Sequence, residues 1–424
     1  MSHAFTLGRC ELGVATAATQ IEGGLVDTNW QHWADEPGHI ADGSTPQRAA
    51  DHWNRVDQDI ALLVELGVKH YRMGLEWARI EPACGVFDDD AMAHYVDELT
   101  KLGEAGITPL VTLHHFNNPW WFEQAGGFLS KESLAHFRQY VDYVVQCLHP
   151  YVRDWITINE PNVYATNSYQ VGTWPPGHQS LPETVRVMQR LAVAHIEAYR
   201  LIHSIRDDSR VGVANHLRVF QPANRLNPAN RAAAWLASYL FQDALQRAMS
   251  FGQFMPPLHQ PISVPIRRYY DFQGINYYSR STVTGLQDGV AKDVPVNDLG
   301  WEIYPAGLAE VIQRVNRSYP GPIFITENGT ADAKDAFRPL FIYDHLKAAV
   351  ESGAPVRRYY HWCFTDNWEW AEGEGPRFGL VALDYETQER QPRESAWFYA
   401  DIAANGGVTN QAFDRWVAGC RYPQ

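Results

Sequence analysis

Apolar positions along the chain switch repeatedly between two periods. Stretches in which they recur every three to four residues, as on one helix face, occupy Asp51–Leu66, Asp90–Ala105, Lys131–Leu148, Pro182–Ile205, Asn230–Met249, Pro305–Arg317 and Tyr343–Ser352. Gly67 and Gly106 stop the first two, as glycine does at helix C-termini. After each comes a short, nearly continuous apolar run: Lys69–Met73, Thr108–Leu113, Trp155–Ile158, Arg210–Ala214, Phe272–Asn276, Pro322–Thr326 and Val356–Phe364. Glu11–Ala15 opens the series, and a helix near Ser395–Ala403 closes it. Short runs without polar alternation read as strands covered on both faces, as in a parallel sheet sandwiched by helices. Eight of them predict an α/β fold, a (β/α)8 TIM barrel with residues 1–424 forming one domain. The absence of Gly-x-Gly-x-x-Gly counts against an open dinucleotide-binding sheet.

Charge narrows the choice of partner. The 424 residues carry 35 Lys+Arg against 49 Asp+Glu, a formal net charge of −14, which repels nucleic acid and anionic lipid. The N-terminus lacks a basic segment followed by an apolar one, and no run is long enough to span a bilayer, so a cytoplasmic location is expected. Cys10, Cys84, Cys147, Cys363 and Cys420 are odd in number and widely spaced, without CxxC, and predict reduced thiols rather than disulfides or zinc. Aromatic residues make up 13%, with 15 Trp and 21 Tyr. Trp53, Trp77, Trp155, Trp235, Trp397 and Trp416 lie in helix or strand patterns and are expected in the core.

In a barrel of this kind the site lies at the C-terminal ends of the strands. Asn159-Glu160-Pro161 follows one run, and Glu327-Asn328-Gly329 another. His114, His115 and Phe116 follow a third, and Asn276-Tyr277-Tyr278 a fourth. Arg72 ends the second run, Gln20-Ile21-Glu22 follows the first, and Asp366-Asn367-Trp368-Glu369-Trp370 follows the last. Burying a carboxylate at the end of an apolar strand is costly without a purpose. Two of them facing one mouth are what cleavage of a glycosidic bond needs: one holds a proton for the leaving oxygen, the other is ionised. His114 and His115 are adjacent on a strand and point to opposite sides, and no HExxH accompanies them, so no metal site is expected.

These segments resemble glycoside hydrolase family 1, the retaining β-glucosidase and β-galactosidase family. The likeness runs through Gly13–Gly23, Thr157–Pro161, Asp271–Tyr278, Ile325–Gly329, Asp366–Gly373 and Arg377–Gly379. It implies a retaining exo-β-glycosidase acting on short β-linked oligosaccharides or β-glycosides, with β-galactosidase and β-fucosidase activity, some transglycosylation and no cofactor. Glu160 would be the general acid/base, its pKa raised by the charge on Glu327, and Glu327 the nucleophile, the two carboxyls about 5 Å apart. Arg72, Asn159, Asn276 and Tyr278 would support them. Gln20, His115, Phe116, Trp362, Glu369, Trp370 and Phe378 would bind the sugar, and Asn162, Trp174 and Trp301 would shape the aglycone side. Oligomeric state is not implied.

Three features depart from the family pattern. Phe116 and Asn162 stand where tryptophan is usual, so one indole N–H is lost at the sugar and the aglycone side becomes more polar. Glu372 and Glu374 occupy the region that holds a phosphate cluster in the phospho-sugar branch, which disfavours a 6-phospho-β-glycosidase. The other alternative, a catalytically silent sugar-binding barrel, is expected to lack one of the two glutamates, and both are present.

Overall fold

Eight parallel strands close into a barrel in the computed structural model, which describes residues 2–285 and 287–423. They are β1 (Glu11–Ala15), β2 (His70–Gly74), β3 (Thr108–His114), β4 (Asp154–Asn159), β5 (Arg210–His216), β6 (Gln273–Asn276), β7 (Ile323–Asn328) and β8 (Val356–Trp362). Each pairs in parallel with its sequence neighbours, and β8 returns to β1 with Tyr360 opposite Gly13. All eight expected runs are therefore barrel strands, each covered outside by helices.

The sequence pattern explains the helices well, with informative exceptions. α1 (His52–Glu65), α2 (Asp89–Glu104), α3 (Ser133–Leu148) and α4 (Leu181–Ile205) lie within two residues of expectation. Asp88 caps α2 by accepting from the Ala91 amide at 2.9 Å, satisfying a donor the helix itself cannot. The expected helix Asn230–Met249 is instead Pro228–Ser238 and Ala244–Phe251 joined by a π-turn over Tyr239–Asp243. The helix expected at Tyr343 begins earlier, at Arg338, whose buried guanidinium pairs with Asp335 and with backbone carbonyls. A charged residue that is fully buried reads as a loop in a hydropathy pattern. Trp77 and Trp155 are fully buried as expected, whereas Trp235 is 65% and Trp397 38% exposed. Trp235 stacks on Tyr239 on the surface, so its helical spacing does not put it in the core.

Two apolar layers position the site. Outside the barrel, the strand faces pack against the helices in one large cluster. Inside, Ala15, Leu110, Ile156, Ala214, Phe272, Phe324 and Tyr360 form a separate cluster, with Phe272 stacked on Phe324 at 4.2 Å. Below them Asp154, fully buried at the start of β4, is held by Arg210 at 2.5 and 2.6 Å and by Arg358 at 2.6 Å. A three-stranded sheet missed in the sequence (Val219–Pro222, Arg280–Thr284 and Gln287–Gly289) flanks the mouth. Its strands are short, mostly half-buried or exposed, and carry no apolar run. Among the described residues, no helix is long and apolar enough to cross a membrane, and the five cysteines are free.

Candidate active site

Glu327 lies in β7, next to the strand's last residue, and both its oxygens are occupied. Arg72, wholly buried at the centre of β2, donates from Nη1 to Oε1 at 2.5 Å, and the Tyr278 hydroxyl donates to Oε2 at 2.6 Å. The guanidinium is itself immobilised, with Nε on Thr112 Oγ1 at 3.2 Å and Nη2 on Asn159 Oδ1 at 2.6 Å. The Asn276 amide then donates to Asn159 Oδ1 at 3.0 Å and to Glu160 Oε1 at 2.9 Å. Three side chains from β2, β4 and β6 thus connect two carboxyls far apart in the sequence.

Glu160, just past β4, accepts a second hydrogen bond at Oε1 from His216 Nδ1, 3.0 Å away. Burial pushes both carboxyls up. At Glu327 the charge of Glu160 adds to burial and outweighs Arg72 and Tyr278, carrying it to about 7. At Glu160 burial is outweighed by His216, by the Asn276 donor and by the Arg72 charge, and the carboxyl sits below its ordinary value. The expected rise at Glu160 is thus reversed, because His216 and Asn276 both donate to its carboxylate. Because the charge of one carboxyl raises the other, the two titrate as a pair rather than singly.

On the other side of the mouth lie the residues expected to hold a sugar. Trp362 Nε1 donates to Glu369 Oε1 at 3.2 Å, and Gln20 Nε2 reaches Glu369 Oε2 at 3.3 Å and the Trp368 carbonyl at 2.9 Å. Burial, then the Glu327 charge, pushes the Glu369 carboxyl up to about 8. Asn159 Nδ2 donates to His115 Nε2 at 2.9 Å, so the ring proton of His115 resides on Nδ1. That Nδ1–H and Gln20 Oε1 are buried without partners. One unpaired donor and one unpaired acceptor, beside the indoles of Trp362 and Trp370 at 5.9 Å from the His115 ring, suit a ligand with hydroxyls and an apolar face. His114 turns the other way, onto Asn118 at 3.0 Å, and among the described residues no three His, Cys, Asp or Glu side chains converge as a metal-ligand set.

The residues expected on the aglycone side separate. Trp301, 38% exposed, lies over Tyr278 and Phe378 at 5.6 and 5.9 Å. Trp174 instead packs on Phe116, Trp30 and Trp370 at 4.9, 5.4 and 6.1 Å, behind the clamp. Asn162 is buried, and its amide donates to the His216 carbonyl at 2.8 Å. The Glu374 carboxylate is occupied by Arg48 at 2.6 and 3.1 Å, which removes part of the expected repulsion of a sugar phosphate. Trp30, fully buried with its Nε1 on the Phe116 carbonyl at 3.1 Å, and His216 were missed. His216 ends β5, and carrying that apolar run two residues further would have placed it at the mouth.

Backbone strain marks the same residues. Phe116, Glu160 and Trp370 have φ of 69°, 38° and 54°, in the left-handed region that costs non-glycine residues about 1–3 kcal/mol each. Packing around the mouth holds them there. Gly329, after β7, is required by close approach: a Cβ there would overlap the Trp362 carbonyl oxygen. Gly329→Ala is expected to cost about 3 kcal/mol and to displace Trp362. Urea unfolding and KM for a β-glycoside would show both effects; unchanged values would mean that the two backbones are free to separate.

Comparison with known proteins points the same way. The family described as glycosyl hydrolase family 1 matches residues 10–408. Beta-glucosidase A of Thermotoga maritima is 32% identical over 432 aligned residues, covering 93% of this chain and 97% of the relative. The solved structure of the Thermotoga maritima beta-glucosidase in complex with glucoimidazole superposes with a TM-score of 0.89 at 29% identity, over 94% of this chain and 99% of that one. A beta-glycosidase from Pyrococcus horikoshii has a TM-score of 0.89 at 34% identity, over 98% of each chain.

Proposed function

The chain belongs to glycosyl hydrolase family 1 and is a glycoside hydrolase, and from that premise we propose that it is a retaining exo-β-glycosidase that removes a non-reducing β-glucosyl unit from short β-glycosides. β-Galactosyl and β-fucosyl units are accepted too, and transglycosylation accompanies hydrolysis. Residues 1–424 act as one catalytic domain in the cytoplasm. The activities for which the relatives are named, and the glucoimidazole bound to one of them, support the substrate class.

The observation that carries the reading is the doubly held Glu327, tied through Arg72, Asn159 and Asn276 to Glu160. Glu160 protonates the glycosidic oxygen as Glu327 attacks the anomeric carbon. Glycosylation of Glu327 removes its charge, and Glu160, now a carboxylate, takes a proton from water for the second displacement. The sugar's contacts shift the shared proton toward Glu160: a 2-hydroxyl donating to Glu327 favours its ionised form. Gln20, His115 and Glu369 pair the hydroxyls, and Trp362, Trp370 and Phe378 cover the ring.

Two measurements test this. kcat/KM on aryl β-D-glucoside, galactoside and fucoside, with cellobiose, lactose and a 6-phospho-β-glucoside, is expected to be highest on unphosphorylated glucosides. Absence of turnover on every β-glycoside would leave the silent barrel. The pH profile of kcat, which reports the complex, is expected to be bell-shaped: activity falls on the acid side as Glu327 gains a proton and on the alkaline side as Glu160 loses its own. A profile with a single limb would contradict a working pair.

A further inference from the structure

We infer that Arg218 and His216 form a positioning pair that fixes which oxygen of Glu160 carries the transferable proton. The inference rests on the acid/base role proposed for Glu160.

The argument starts from what each nitrogen is able to do. Arg218 Nε lies 3.3 Å from His216 Nε2. A guanidinium has only hydrogens to offer, so Nε2 accepts with its lone pair and the ring proton sits on Nδ1. Nδ1–H then donates to Glu160 Oε1 at 3.0 Å. Asn276 donates to the same oxygen at 2.9 Å. Oε1 is thereby saturated by two donors, while Oε2 has no hydrogen-bond partner among the described residues. A protonated Glu160 consequently carries its hydrogen on Oε2, the oxygen left for a leaving group.

Both members are held on several sides. The His216 ring stacks on Tyr278 at 5.9 Å and meets the edge of Phe241 at 6.0 Å, and its carbonyl accepts from Asn162. Arg218 donates from Nη1 to Ser281 Oγ at 3.2 Å, lies 3.6 Å from Asp288, and sits 4.9 Å over the Phe241 ring. Its backbone amide and carbonyl are both taken by the Gln242 side chain. The charged and titratable groups facing the pair are therefore Glu160, Asp288 and Tyr278, with Glu327 and Arg72 beyond Glu160. Because the ring is held on both nitrogens, its Nδ1–H donor fixes the orientation of the carboxyl.

Two experiments decide the matter. In wild-type protein labelled with 15N-histidine, with His216→Asn supplying the assignment, the ring is expected as the Nδ1–H tautomer near neutral pH. An Nε2–H tautomer or an imidazolium there would overturn the proposal, whatever the variants do. In kinetics, His216→Phe removes one hydrogen bond to the carboxylate. The alkaline limb of kcat on phenyl β-glucoside, which reports Glu160 in the complex, is expected to rise by about one pH unit, the worth of one such bond. Phenyl β-glucoside is expected to lose roughly tenfold relative to p-nitrophenyl β-glucoside, since the poorer leaving group depends more on the acid. His216→Asn, whose amide reaches the Nδ1 position, is expected to restore both. An unmoved limb, an equal loss on both substrates, or an Asn variant no better than Phe would overturn it. If Glu160→Ala itself retained turnover of phenyl β-glucoside, the acid/base reading would fail instead.

Discussion

Glu327→Gly is expected to lower turnover of an aryl β-glucoside by on the order of 10⁵ or more, the scale on which losing a nucleophile disables a site whose parts act as a unit. The size of the effect follows from how completely the surroundings are built for this one carboxylate. Arg72 and Tyr278 both aim their donors at it, and Arg72 has no route to solvent. With glycine at position 327, no group remains at the anomeric carbon to form the covalent intermediate. The guanidinium keeps its bonds to Asn159, Thr112 and the Thr326 carbonyl, so the barrel is expected to stay folded. Circular dichroism separates loss of chemistry from loss of structure. Near-normal turnover in a folded variant would sink the nucleophile assignment.

Glu160→Ala is expected to show a loss that depends on the leaving group. Cleavage of phenyl β-glucoside, which needs a proton for its departing oxygen, is expected to fall by about 10³, within the usual range for general acid catalysis. An activated aryl glycoside is expected to lose less in its first step and then to stall as glycosyl-enzyme, because water is no longer deprotonated. Azide needs no general base, so adding it is expected to restore turnover and to yield the β-glycosyl azide, identified by NMR. An α-azide would contradict retention, and absence of rescue would remove Glu160 from the base role.

What was legible in the sequence had a strong physical signature. Strands covered on both faces must be apolar throughout, so all eight barrel strands could be read directly, and the polar residues after them stood out by contrast. Glu160, Glu327, Arg72 and Glu369 were found in this way, together with a family likeness in their flanking residues. The rest was hidden because its signature is three-dimensional. His216 ends a strand whose apolar run was read as stopping at Ala214, and only the closed barrel brings it to Glu160. Asn162 and Trp174 were placed by their position after a strand, but the π-helical turn Thr166–Val171 that separates them has no sequence period of its own to announce it. Trp235 shows the converse: helical spacing identified the element but not the face that is covered.

The ion trio of Asp154, Arg210 and Arg358, with the aromatic layer above it, closes the barrel at the end away from the mouth. The site therefore has a filled floor beneath it. On the exo-acting reading proposed above, a sugar would enter non-reducing end first and stop at this floor, leaving the rest of the substrate at the rim. On that reading the released aglycone would leave by the mouth before water or an acceptor alcohol reached the sugar still attached below. First product out before second reactant in is the order that defines ping-pong kinetics, and a closed floor would favour it alongside the chemistry proposed at Glu327.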